Sequence, residues 1–153
     1  MVADVPSQSV TGNPPVQDLI LHRVPMMLLD RVTSYDDEQI VCEYQVKADA
    51  AFVDQGRVDA VVALEYMAQT IAAYVGLKRR ADQLLPRIGY LISARELTLR
   101  ADHFCVGDQL RIEAQRLWGE QELGHFRCRV LNESHELAVG QLSVYQPPDH
   151  HNV

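Results

Sequence analysis

The chain is poor in the residues that mark specialised protein classes. Its three cysteines, Cys42, Cys105 and Cys128, are odd in number, far apart and never spaced as CxxC. That excludes a disulfide framework and a zinc knuckle, and leaves small hydrophobes in a reduced, cytoplasmic compartment as the expectation. Positive charge is scarce too: 14 Lys and Arg stand against 21 Asp and Glu, a net charge of −7. General nucleic-acid binding needs a basic field and is therefore not expected. No basic stretch followed by an apolar one opens the chain, so no secretory signal is read there. Long apolar runs are also lacking, with one exception, Ala60 to Leu77. Glu65, Gln69 and Thr70 interrupt it, which makes it a core helix rather than a membrane span.

What is present fits one domain, since 153 residues bury a proper core once but not twice. Pro6, Gly12, Pro14 and Pro15 punctuate a polar lead-in, 1–16, expected to be flexible, and Pro147 and Pro148 open a similar tail, 147–153. The tail holds His150 and His151, a weak metal signal on which no metal site is predicted. Between them, 17–146 reads as a single domain. Ile40, Cys42, Tyr44 and Val46 alternate with Val41, Glu43, Gln45 and Lys47 and predict a strand with one wet face, with Leu28 to Thr33 as its hairpin mate across Asp36-Asp37-Glu38. Asp59 is placed to cap a helix running to about Arg80. After Pro86 four alternating segments follow, around Leu97, Ile112, Cys128 and Leu142. Their joints are Val106-Gly107-Asp108, Gly119-Glu120 and Asn132-Glu133-Ser134. An apolar helix needs cover on most sides, so the α+β solution is an antiparallel sheet wrapped around one long central helix.

Glu65 is the chemically informative residue of that helix. It is the only charge between Asp59 and Lys78, and a carboxylate among apolar groups is costly to bury without a partner. Such groups are either neutralised or given a dedicated partner, and acid–base chemistry uses both. The bland alternative is a helix-edge Glu in water. Gln69, one turn on, is read either as the group that orients Glu65 or as a plain buried hydrogen-bond partner. Ala68, Ala72 and Gly76 near the same face either leave room for a chain or allow close packing. Met26, Met27 and Met67 read as core filling. Lys78-Arg79-Arg80 suits the helix C-terminal dipole, or alternatively a docking patch for an acidic partner.

Three collinear stretches resemble a known family. Leu21-His22-Arg23-Val24-Pro25-Met26-Met27-Leu28-Leu29-Asp30-Arg31-Val32 is similar to the "PHRYPFLLVDRV" signature of 3-hydroxyacyl-acyl-carrier-protein dehydratases. Leu64-Glu65-Tyr66-Met67-Ala68-Gln69 resembles their "LEAMAQ" helix. Ser93-Ala94-Arg95 through Val106-Gly107-Asp108-Gln109-Leu110 resembles "DKARF…PGDQL". The likeness covers roughly Asp18 to Tyr145 and is closest to the aryl-polyene thioester dehydratases. It implies a hot-dog fold, a homodimer or higher self-assembly, and dehydration of 3-hydroxyacyl thioesters on an acyl carrier protein without metal or organic cofactor. One stretch departs from the family. Where the fatty-acid dehydratases carry a histidine in Gly-His-Phe-Pro, residues 50–59 have neither histidine nor proline.

The resemblance carries the glutamate onto Glu65 and the glutamine onto Gln69. Dehydration needs a base for the proton alpha to the thioester, an acid for the departing hydroxyl, and donors for the enolate oxygen. Glu65, if buried, is expected to be the acid. His22 is the candidate base by type, with Glu65 acting alone as the alternative. Gly56, opening the helix approach, is expected to bind substrate by letting it come close to the 56–60 amides. His103 in a loop and His125 on a strand surface are assigned no role. Two other functions stay open: a hot-dog thioesterase, in which Glu65 activates water, and a non-catalytic acyl-binding subunit.

Overall fold

The computed structural model describes residues 12–120 and 122–149; most of the lead-in and the tail pair His150 and His151 lie outside them. Within the described residues, β1 (Arg31–Tyr35) and β2 (Gln39–Gln45) form the predicted hairpin. Its turn is held by the Asp36 carboxylate, which accepts from the amides of Glu38 (2.8 Å) and Gln39 (3.0 Å). The strand begins at Arg31 rather than Leu28, because the Leu28 amide is drawn off to the Gln69 side chain.

Next come two short strands that alternation was too brief to reveal, β3 (Val53–Asp54) and β4 (Arg57–Asp59). Gln55 and Gly56 join them at φ 51° and 76°, the left-handed pair that a two-residue hairpin demands. Asp59 caps as expected, accepting from the Val61 amide at 2.9 Å. A single 3-10 turn, Ala60–Val62, then leads into α1 (Ala63–Ala81). The remaining strands are β5 (Tyr90–Leu99), β6 (His103–Cys105), β7 (Gln109–Glu120), β8 (Leu123–Asn132) and β9 (His135–Tyr145). His103 thus belongs to a strand, not a loop. Gly119 and Glu120 are not a joint either, since β7 continues through them opposite Gly124 and Leu123.

Six strands make one antiparallel sheet in the order β1-β2-β7-β8-β9-β5, and β3-β4-β6 make a small second sheet. The alternating residues foreseen for the inner face are the buried ones: Ile40 and Cys42 on β2, Leu110 and Ile112 on β7, Phe126 and Cys128 on β8. They close over α1, which lies against β2, β7 and β8. Tyr66 on α1 packs between Tyr44 and Phe104, ring centroids 5.4 and 5.6 Å away, and Tyr74 meets Phe126 edge-on at 5.5 Å. This is the hot-dog fold that the resemblance implied.

Ala60–Ala81 is long and apolar enough to cross a membrane by length and composition, but 56% of its most apolar window is buried inside the domain. All three cysteines are free, with Cys42 and Cys128 buried and Cys105 exposed; burial pushes the Cys42 thiol up to about 12. The domain also reaches further than 17–146. Val16, in the 3-10 turn Val16–Asp18, is buried in the core, and Asn13 donates to the Val32 carbonyl at 2.9 Å.

Candidate active site

The sheet covers most of α1 but not all of it. Glu65, Ala68, Ala72, Val75 and Arg79, spaced three or four residues apart, form a half-buried stripe that the strands leave open. That stripe is the floor of a cavity of about 410 Å³. Its other walls come from Leu19 to His22, from the Arg87–Leu91 approach to β5, and from Val144 to Gln146 beyond it. Ala68 and Ala72 therefore do leave room. Gly76 serves the packing alternative as well, since a Cβ there would sit 2.2 Å from the Leu19 carbonyl oxygen.

Glu65 and His22 meet at one end of this cavity. His22 Nε2 is 3.6 Å from Glu65 Oε1, although 43 positions separate them in the chain (65 − 22). The burial foreseen for Glu65 is partial, because its side chain is 35% exposed and that of His22 37%. A carboxylate at a helix's first turn also reaches the cavity mouth, where the helix dipole favours it. Glu65 nonetheless has its dedicated partner. Gln69 Nε2 donates to Glu65 Oε1 at 2.8 Å and to the Met26 carbonyl at 2.7 Å, while Gln69 Oε1 accepts from the Leu28 amide at 2.8 Å. Gln69 is fully buried, and this network assigns its amide orientation. It is thus the clamp that ties the His22–Leu28 segment to α1 and turns Oε1 inward. Among the described residues the hydrogen bond and the close His22 approach are both made at Glu65 Oε1 and none at Oε2.

His22 Nδ1 is buried and finds no hydrogen-bond partner. A proton on Nδ1 would orphan a buried donor, at a cost of about 1–3 kcal/mol. On Nε2 the same proton faces the Glu65 carboxylate, so the neutral ring carries it there.

Other predicted residues go elsewhere. Gly56 is not in the cavity lining; it turns the β3–β4 hairpin, and its carbonyl accepts from the Val106 amide at 3.0 Å. Of the 56–60 amides expected to hold an enolate, that of Ala60 donates to the Asp102 carbonyl at 3.1 Å. Met67 is core and Met27 packs beside it, but Met26 is 40% exposed because the loop carrying it is held through its carbonyl. His125 stacks on Trp118 at 3.6 Å and pairs with the Ser143 hydroxyl at 2.6 Å, on the sheet surface as foreseen. Lys78, Arg79 and Arg80 do not form one patch. Lys78 binds Asp37 at 3.0 Å, Arg79 turns to the cavity and Arg80 points to solvent. Arg87, also in the lining, had no signal in the sequence, since it lies outside any periodic segment. No group of three or more His, Cys, Asp or Glu that would hold a metal occurs among the described residues.

The chain matches known proteins at the level of both sequence profile and fold. The profile of the ApeP-like family, described as ApeP dehydratase, matches residues 14–153. No curated protein matches the chain. Among solved structures it is similar to the dehydratase heterocomplex ApeI:P from Xenorhabdus doucetiae, with 27% identity over 90% of this chain and 94% of that one, at a TM-score of 0.85. An uncharacterized protein from Pyrococcus horikoshii shares 16% identity over 90% and 97%, TM-score 0.64. A hypothetical thioesterase with coenzyme A from Streptococcus pneumoniae shares 12% over 78% and 87%, TM-score 0.59. The last two likenesses show the fold alone. With a profile match across almost its whole length, the chain belongs to the ApeP-like dehydratase family, in the aryl-polyene branch of the hot-dog dehydratases.

Proposed function

We propose that the chain removes water from 3-hydroxyacyl thioesters carried on an acyl carrier protein, with Glu65 and His22 as the reacting pair. The observation that carries this is the 3.6 Å approach of His22 Nε2 to Glu65 Oε1 at the mouth of an apolar cavity. The pair supplies from a different part of the chain what residues 50–59 lack.

Glu65 Oε2 takes the proton alpha to the thioester carbonyl. The electrons of that C–H bond pass to the carbonyl as an enolate and then expel the 3-hydroxyl. Glu65 returns its proton to the departing oxygen, so water leaves and the carboxylate is regenerated. His22 Nε2–H holds the departing oxygen by a hydrogen bond as the C–O bond breaks and keeps its own proton. This assigns His22 as donor rather than base, and Glu65 as the carrier of both transfers. The acyl chain then lies along the Ala68–Ala72 floor, and the chemistry calls on no cofactor. Positioned proton transfer of this kind contributes about 10²–10⁴-fold.

Among the described residues the outer edge of β5 is unpaired, and Tyr90, Leu91, Ile92 and Leu99 stand exposed there. An open apolar edge of this length invites pairing, and a second copy of the chain is its proposed cover.

The test follows the mass of a 3-hydroxyacyl chain on its carrier protein. Loss of about 18 Da, one water, supports dehydration, free acid would mean hydrolysis, and no change would mean a binding role. Glu65→Gln is expected to lower turnover by about 10²-fold or more with an unchanged melting curve. Full activity in that variant would remove Glu65 from the mechanism, and an unimpaired, folded His22→Ala would do the same for His22.

A further inference from the structure

The cavity that begins at Glu65 does not end in an apolar wall. Fourteen residues further along α1 (79 − 65), about 21 Å at 1.5 Å per residue, Arg79 faces the same space, and Arg87 joins it from the segment before β5. Both guanidinium groups are largely withdrawn from water, with side chains 13% and 22% exposed. Among the described residues one carboxylate answers them. Asp149 Oδ1 lies 3.3 Å from Arg79 Nη2 and 2.5 Å from Arg87 Nη1.

Two features separate this cluster from a simple clasp. Two guanidiniums against one carboxylate leave a surplus positive charge, and Glu65, at the opposite end, is the sole acidic residue in the described lining. Asp149, moreover, is itself 42% exposed, four residues past the end of β9 at Tyr145, where a competing group can displace it. A buried guanidinium favours a planar, two-oxygen partner over any other.

We propose that the remote end of the cavity is a specificity site for acyl chains that end in a carboxylate, which Arg79 and Arg87 bind as Asp149 gives way. The thioester end then lies at Glu65 and the charged end some seven times the spacing of a helical two-residue step away (about 21 Å). The assignment of the thioester end rests on the dehydratase function proposed above.

The experiment is calorimetry on the full chain with unreactive pantetheine thioethers of equal length, ending in a carboxylate, a hydroxyl or a methyl group. The carboxylate-ended probe is expected to bind at least about ten-fold tighter than the methyl-ended one, the hydroxyl-ended probe falling near the methyl. Arg87→Gln should bring the carboxylate probe down to the methyl level, and Asp149→Ala should tighten the carboxylate probe alone. Equal affinity for all three ends, or no binding of any, overturns the proposal, and so does an Asp149→Ala chain with no gain. The comparison of ends on the unaltered chain decides the matter even where a variant does not fold. Because the probes do not react, retained preference without turnover would sink the dehydratase function and not this site. Turnover without preference would do the reverse.

Discussion

Gln69 shows how much a single side chain arranges here. Its amide uses both hydrogens and one lone pair to hold Glu65, Met26 O and Leu28 N in one network. Replacing it by a group of similar size without those atoms strands the Leu28 amide in the core and frees the loop that carries His22. Gln69→Leu is expected to cost about 2–4 kcal/mol of unfolding free energy, read from denaturant midpoints. It should also reduce turnover, because the Glu65–His22 approach is no longer held. A stable but inactive variant would mean that Gln69 orients without supporting the fold. A destabilised but fully active one would mean that His22 is held by other contacts.

At the scale of elements, α1 carries two jobs on adjacent stripes. One is buried by the sheet through Tyr66, Met67, Ile71 and Tyr74, and the other is left open as the cavity floor. Gly76 sits where the two meet the N-terminal 3-10 turn, with the Leu19 carbonyl against its Cα. An alanine there gains helix propensity of up to about 1 kcal/mol, yet its methyl lands on backbone that has nowhere to go without shifting Ile20 and Leu21, which wall the cavity. Gly76→Ala is therefore expected to lower stability by about 1–3 kcal/mol, seen as a fall in melting temperature. An unchanged or raised melting temperature would show that the 3-10 turn moves freely on the helix.

Across the whole molecule, charge is used sparingly and at the margins. Glu113 and Glu136 on the outer face of the sheet bind Arg129, and Arg100 adds to Glu136. These exposed pairs contribute little each. The Arg87–Asp149–Arg79 bridge instead ties the end of the described chain to the end of the helix. Arg87 first, and then Arg79, hold the Asp149 carboxyl below its ordinary value of 3.8. A carboxyl lowered in the folded state binds its proton more readily when unfolded, so it stabilises the fold above about pH 3.8, and that contribution is lost as pH falls through the folded value. The melting temperatures of the natural chain and Asp149→Asn should accordingly differ at neutral pH and converge in stronger acid. A gap that stays constant with pH would show that the bridge has no part in stability.

Sequence alone determined the central helix, its cap at Asp59 and the six strands of the main sheet, because amphipathic alternation and a single apolar run are local properties of the chain. It also singled out Glu65, since one charge in an apolar segment is visible without coordinates. Strands of two and three residues such as β3, β4 and β6 fell below any period, and the β1 boundary moved because the Leu28 amide binds a side chain 41 positions away. Only the tertiary structure decided that His22 reaches Glu65, that Gly56 turns a hairpin, and that Arg79 and Arg87 share a cavity with the glutamate. Each of these depends on distances between residues far apart in the chain, and such distances are set by how the sheet closes over the helix rather than by any spacing in sequence.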